Sequence, residues 1–248
     1  SGEYMLRFVV RSEELIPRIQ NALPQLLRDY NKITVVSVNI QPLHMAILEG
    51  DKEVLLTEQN MLREQFNDVP LYMRPKSFFQ TNPTVAAELY KTTGAWAADM
   101  RSTTIVDLFC GVGGFGLHCA ASGATVTGIE IEPEAIVCAK MSAQEMGLQN
   151  VSFHTSDSAL FDTAQVDMPD LVIVNPPRRG LGQALCEKIV ALSPQTILYS
   201  SCKPETLVRD LSDLPNYQIT RVQLFDMFPH TPHYETLIAL QRRNPNKI

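Results

Sequence analysis

Thr103-Thr104-Ile105-Val106-Asp107-Leu108-Phe109-Cys110-Gly111-Val112-Gly113-Gly114-Phe115-Gly116 runs from an apolar, β-branched stretch into a cluster of glycines. The first part predicts a strand over 103–109, and the residues from 114 predict a helix to 121. Gly111, Gly113 and Gly116 match G-x-G-x-x-G between them. In that pattern glycines allow a tight turn and a close approach of backbone to a ligand at a helix N-terminus. Downstream, strands and helices alternate: strand 124–130, helix 133–146, strands 151–155 and 170–175, helix 182–192, strand 196–201 and helix 204–213. Alternation at this spacing predicts a parallel sheet with helices on both faces. Residues 217–227 and 233–241 read as two further strands separated by Phe228-Pro229-His230-Thr231-Pro232. So short a connection cannot be a crossover, so these two should pair antiparallel. An α/β Rossmann-like sheet ending in an antiparallel hairpin is the usual form of the S-adenosylmethionine-dependent methyltransferase fold.

Upstream, Asn82-Pro83 starts a helix that runs to about Asp99, with Asn as cap and Pro at the first position. Before it lies a small α/β layer. Its expected parts are a strand at 4–10, an amphipathic helix at 12–30, and strands at 33–40, 44–49 and 53–57. Ser12 is the expected helix cap, with Glu13 and Glu14 in the first turn. The division predicted is a partial α/β domain over 1–76, its beginning missing, and a second domain over 77–248.

The 248 residues suffice for a large domain with a small one beside it. Hydrophobic content of 45% and charged content of 19% are those of an ordinary globular protein. No apolar run approaches the roughly 20 residues that span a bilayer, and the N-terminus has no secretory pattern. No membrane association is therefore expected. The cysteines at 110, 119, 138, 186 and 202 are odd in number and form no CxxC pair. This points away from a disulfide framework or a zinc site and toward the reducing cytoplasm. A net charge of −6 leaves no basic footprint for nucleic acid. Residues 1–80 are nearly neutral, however, with nine Lys/Arg against ten Asp/Glu. They leave room for a local basic patch at Arg63, Arg74 and Lys76.

Glu130 ends the strand after the glycine turn, 19 residues beyond Gly111. There a carboxylate can accept hydrogen bonds from both hydroxyls of a ribose. Asp107 at the head of the turn narrows the cofactor class. It would repel a pyrophosphate but tolerate a sulfonium with an amino-acid tail, which favours S-adenosylmethionine over NAD. The alternative is that Asp107 caps backbone amides of the turn. In Asn175-Pro176-Pro177-Arg178 the two prolines fix φ and remove backbone donors. The Asn175 side chain is then free to hold a base edge or the cofactor. Enzymes that methylate the adenine amino group usually end this loop in an aromatic residue. Here Arg178 and Arg179 stand instead, suited to phosphate or a developing oxyanion.

Tyr199-Ser200-Ser201-Cys202-Lys203-Pro204 stops an apolar strand at a thiol, with a helix to follow. Ligands bind at such C-terminal strand ends in open α/β sheets. The chemistry that needs a thiol there is methylation at carbon 5 of a pyrimidine. A thiolate adding at carbon 6 makes carbon 5 nucleophilic, carbon 5 takes a methyl group, a base removes its proton, and the thiolate leaves. The helix start and Lys203 are expected to favour the thiolate. Cys110, Cys119, Cys138 and Cys186 read as small buried hydrophobes. For the base, Glu235, Asp226, His230 and His233 are rivals, with Glu235 slightly ahead. The two histidines lack a third ligand at metal spacing, so no metal is expected.

Four segments in this order, DLFCGVGGFGLH, NPPRRG, YSSCKPET and LFDMFPHTPHYE, together with SFFQTNP at 77–83, resemble the RNA uracil-5 methyltransferases over essentially the whole chain. The likeness is greatest to the bacterial members that act on 23S rRNA. The resemblance implies Cys202 as nucleophile and Glu235 as base. It implies cofactor contacts from Gln80, Phe109, Glu130 and Asn175, beside Asp107, Gly111 and Gly113 of the turn. Most relatives carry Asp at the position of Asn175; the amide can still bond the ligand but cannot offset a sulfonium charge. The resemblance also implies a 4Fe–4S cluster on four N-terminal cysteines in the full-length protein. No such cysteines stand in this chain, which would begin after them, within an RNA-contacting domain over 1–76. The implied partner is a loop uridine of 23S rRNA, extruded from its stack at a few kcal/mol, with no obligate protein partner. Phe78 and Phe79 are candidate base neighbours. RNA cytosine-5 methyltransferases also place a cysteine after such a strand, but they carry another in the proline loop, which is absent here. A fragment that binds cofactor or RNA without catalysis is the remaining alternative.

Overall fold

The computed structural model describes residues 1–43, 49–158 and 168–243. The chain begins with β1 (Tyr4–Val10), a 3₁₀ turn at Glu13–Leu15, α1 (Ile16–Asp29), β2 (Ile33–Ile40) and β3 (Lys52–Leu55). These strands form a sheet of order β1-β2-β3, the first pair parallel and the second antiparallel. Ser12 holds an extended cap position, but its side chain makes no cap hydrogen bond. Most of the strand expected at 44–49 lies outside the described residues.

A hairpin that sequence reasoning missed follows: β4 (Leu62–Phe66) and β5 (Val69–Met73), paired antiparallel. Asn67 holds the left-handed φ of 54° in its two-residue turn, a conformation Asn tolerates and short hairpins require. The available signal was Asn67-Asp68 flanked by the apolar pairs Leu62/Phe66 and Val69/Leu71. Phe66, Val69 and Leu71 enter the same core as Leu89, Tyr90 and Phe115. His118, buried beneath the turn, donates Nδ1–H to Gly114 O at 2.7 Å and lies 3.0 Å from Asn67 Nδ2. Burial pushes its pKa down, so the neutral ring ties the hairpin to the glycine-rich segment.

The remainder alternates as expected, with ends shifted by a residue or two. It comprises α2 (Pro83–Asp99), β6 (Thr104–Leu108), α3 (Gly114–Ala120), β7 (Thr125–Glu130), α4 (Pro133–Glu145), β8 (Val151–Thr155), β9 (Leu171–Val174), α5 (Gln183–Leu192), β10 (Thr196–Ser201), α6 (Pro204–Ser212), β11 (Tyr217–Phe225) and β12 (Glu235–Arg242). Asn82 caps α2 by accepting from Val85 N at 3.3 Å. The seven-stranded sheet has the order β11-β12-β10-β9-β6-β7-β8. Only β12 and its neighbours pair antiparallel. Because successive strand residues point to opposite faces, Ile105, Leu171, Ile173 and Leu198 pack with α2, α3 and α4. Val106, Val172, Val174 and Tyr199 pack with α5 and α6. Burial on both faces is why the central strands read as unbroken apolar runs.

Candidate active site

The chain leaves β6 toward β7 on one side, while β9 lies on the other. The gap between the C-terminal ends of β6 and β9 is the crevice where open α/β sheets hold ligands. Phe109 follows β6 and Asn175 follows β9, so the two expected contacts flank it. Cys202 follows β10. Because β12 runs antiparallel, its first residue, Glu235, sits at the same edge.

The turn after β6 is built for close approach. Phe109 adopts φ 62°, a left-handed conformation that costs a non-glycine residue roughly 1–3 kcal/mol. It is held by Phe109 N donating to Ser158 Oγ at 3.2 Å and Cys110 N donating to Ile129 O at 3.1 Å. Gly111 and Gly113 have φ of 54° and 86°, and a Cβ on Gly111 would meet nothing within 4 Å. The backbone there borders open space. At Gly116 a Cβ would come within 3.0 Å of Asp107 Oδ2, so that glycine serves helix–strand approach.

Glu130 organises the turn. Its Oε2 accepts from Gly111 N at 3.0 Å, and its Oε1 accepts from Ile131 N and Glu132 N at 2.8 and 3.0 Å. A carboxylate has about four acceptor positions, so one remains for a hydroxyl. Asp107 is fully buried; Oδ2 accepts from Gly116 N at 2.9 Å, and Oδ1 has no partner. One oxygen thus serves the turn and the other is uncommitted. Burial pushes this carboxyl up to about 7. Gln80 is 7% exposed, and its side chain, like that of Asn175, makes no hydrogen bond among the described residues. Bare glycine backbone, a spare carboxylate position, an orphaned buried oxygen and unpaired amides fit a ligand with ribose hydroxyls and an amino-acid tail. Glu130→Ala removes the acceptor of three backbone donors, each worth roughly 1–3 kcal/mol if left unpaired. The expected outcome is a cofactor dissociation constant raised at least about tenfold by titration calorimetry, with a lower melting temperature. An unchanged constant would take Glu130 out of the site.

The other half of the site is the end of β10. Its ladder with β12 ends at Ser201↔Thr236; continuing the register by one residue sets Cys202 beside Glu235. Cys202 is partly exposed, whereas the other cysteines are buried. Ser201 brackets it: Lys203 N donates to Ser201 Oγ, and that hydroxyl donates to Lys203 O, both at 3.1 Å. Glu235 is 2% exposed and accepts from Ser200 Oγ at 2.5 Å. Desolvation raises its pKa to about 7 against the opposing hydrogen bond from Ser200. Its rivals Asp226, His230 and His233 all lie exposed in the turn before β12.

Sequence reasoning missed the residue that holds the Asn-Pro-Pro loop. Asp210 is fully buried; its Oδ2 accepts from Tyr199 Oη at 2.8 Å and from Leu181 N at 2.6 Å. Arg209 Nη2 bridges Asp210 Oδ1 and Arg179 O. The signal was a carboxylate at 210 in the apolar stripe of α6, between Leu207 and Leu211. Arg178 and Arg179 remain exposed. The basic patch considered for Arg63, Arg74 and Lys76 does not form. Arg63 pairs with Glu145, Arg74 with Glu134 at 2.7 Å, and Lys76 donates to Asp51 O at 2.5 Å. Phe79 turns inward against Phe66, with ring centroids 5.1 Å apart, while Phe78 is 69% exposed. Among the described residues no group of three His, Cys, Asp or Glu could hold a metal, and no helix is long and apolar enough to cross a membrane.

Known proteins resemble this chain in sequence and fold. The chain is 59% identical to a 23S rRNA (uracil(747)-C(5))-methyltransferase, RlmC, of Shewanella loihica over 97% of its own length and 64% of that protein's. It is 60% identical to the same enzyme of Shewanella baltica over 96% of its length and 62% of the relative's. The chain thus spans less than two thirds of these relatives. The fold superposes on a Pyrococcus abyssi tRNA (uracil-54, C5)-methyltransferase in complex with S-adenosyl-L-homocysteine. That match has a TM-score of 0.72 at 30% identity, covering 86% of this chain and 52% of that one. A likeness to Pyrococcus horikoshii TYW2, with a TM-score of 0.64 at 14% identity, 96% of this chain and 89% of that one, bears on the fold alone. The sheet is therefore that of the S-adenosylmethionine-dependent methyltransferases. With the profile of the tRNA (Uracil-5-)-methyltransferases matching residues 38–243, across both the glycine turn and the Cys202–Glu235 edge, the chain belongs to that family.

Proposed function

We propose that this chain carries the catalytic centre of an enzyme that methylates carbon 5 of a loop uridine in 23S rRNA. The observation that carries the reading is the pairing, at one sheet edge, of a partly exposed thiol with a buried carboxyl whose pKa is raised to about 7. Glu130, Gln80, Asn175 and the Phe109–Gly113 turn would hold S-adenosylmethionine, which would supply an electrophilic methyl group. Cys202 Sγ bonds to carbon 6 of the uracil, and the electrons of the ring double bond move onto the carbonyl at carbon 4. Carbon 5 then takes the methyl group. Glu235 removes the proton from carbon 5, the ring double bond re-forms, and the bond between carbon 6 and sulfur breaks. A carboxyl near 7 suits both halves of its task, accepting a proton and returning it to solvent.

In this reading the exposed Phe78 and the Arg178-Arg179 pair face the RNA, and the RNA-contacting unit expected over 1–76 is cut back to the residues before β4. The packing of Phe66, Val69 and Leu71 with the second unit favours a boundary before β4. The test is tritium release: 23S rRNA transcript tritiated at uridine carbon 5 should lose tritium to water only when S-adenosylmethionine is present. No release would eliminate uridine-5 methylation. Release instead from a transcript tritiated at cytidine carbon 5 would indicate the cytosine reaction.

A further inference from the structure

We propose that Ser200 is the positioning residue of the catalytic base, holding one carboxyl oxygen of Glu235 so that the other meets the uracil. The inference rests on the reading of Glu235 given above. Ser200 is 0% exposed, and its hydroxyl donates to Glu235 Oε1 at 2.5 Å. This is the one hydrogen bond that the Glu235 carboxyl forms among the described residues, and no cation there pairs with it. Glu235 Oε2 is thereby left uncommitted.

The strand explains why this residue is suited to the task. Ser200 and Cys202 are two apart and project to one face of β10. Ser200 lies opposite Leu237 and Ser201 opposite Thr236, so the Ser200 side chain reaches diagonally to Glu235 on that same face. One short segment thus carries the nucleophile, the hydroxyl that orients its partner base, and Ser201, which brackets the nucleophile's backbone. A hydroxyl is also the right donor. It stabilises the ionised carboxyl without adding a charge that would compete for the proton. The other ionisable groups facing Glu235 are Cys202 and, from α2, Tyr90. Burial, then the charge of Asp107 on β6 and then that of Glu235 raise the Tyr90 phenol. Neither neighbour donates a hydrogen bond to the carboxyl, so loss of the Ser200 bond leaves the base harder to ionise and free to rotate.

The experiment separates proton removal from adduct formation. Ser200→Ala, Ser200→Thr and Glu235→Gln are compared on 23S rRNA transcript with S-adenosylmethionine, following the denaturant-stable protein–RNA adduct and tritium release across pH. Melting temperature and cofactor affinity check the fold. Ser200→Ala should form adduct at the unmodified protein's rate, retain it at least several-fold longer, and shift the acidic limb of turnover to higher pH. Ser200→Thr, which keeps the hydroxyl, should restore both. Equal losses of adduct formation and release, or behaviour matching the unmodified protein, would overturn the role of Ser200. If Glu235→Gln accumulates no adduct, the assignment of the base itself is wrong, a different failure that the Ser200 variants alone would not produce.

Discussion

Cys202→Ala should end methylation altogether while leaving cofactor binding intact. Without the sulfur, carbon 5 of uracil never becomes nucleophilic, and no neighbouring group can substitute. Cys110, Cys119, Cys138 and Cys186 are buried, and desolvation raises the thiol pKa of each. The expected loss is at least on the order of 10⁴-fold in turnover, as when a covalent nucleophile is deleted elsewhere. The substitution removes one partly exposed sulfur at the end of β10, and Ser201 still fixes the backbone through Lys203. Melting temperature and the S-adenosylmethionine dissociation constant should therefore stay close to those of the unmodified protein. No adduct should appear on a denaturing gel. Residual tritium release within tenfold of normal would remove Cys202 from the mechanism.

Glu235→Gln should produce the opposite signature: an adduct that forms and persists. Proton removal comes after methyl transfer, so losing the base stalls the enzyme with sulfur still bonded to carbon 6. General base catalysis contributes about 10²–10⁴-fold, and turnover should fall by that much. The buried amide can still accept from Ser200, which limits the structural cost. The pH dependence follows from burial. Glu235 acts as base only when ionised, and its pKa is raised to about 7. Turnover should therefore rise through a limb near pH 7, and the limb should vanish in the Gln variant. For stability the sign is reversed. A carboxyl raised by burial contributes most below its unfolded value and loses that contribution as pH climbs toward 7. Asp107, also raised to about 7, adds in the same direction. Normal turnover by the Gln variant would return the role to Asp226, His230 or His233.

The alternating fold was legible because both of its signals are local. Apolar runs such as Leu171–Val174 mark buried parallel strands, and Gly111, Gly113 and Gly116 mark the turn between β6 and α3. The terminal antiparallel pair followed from the length of its connection. The β4–β5 hairpin was missed because β4 is mostly polar and Pro70 interrupts β5, and their apolar residues gain meaning only against α2 and α3. The basic patch failed for a related reason: Arg63, Arg74 and Lys76 find carboxylate or carbonyl partners on distant segments.

At the site, residue types and their order could be read along the chain: a glycine turn, an acid after the next strand, an Asn-Pro-Pro loop, a thiol at a strand end and an acid at the last strand. These are statements about single strand ends, and strand ends are written locally. Which groups act on one another was settled by packing. Ser200 meets Glu235, and Asp210 anchors the proline loop through Tyr199 and Leu181, because the register of β10 with β12 and the docking of α6 bring together residues 35, 11 and 29 positions apart. Hydrogen bonds over such separations depend on packing of the whole sheet, and no local pattern encodes them.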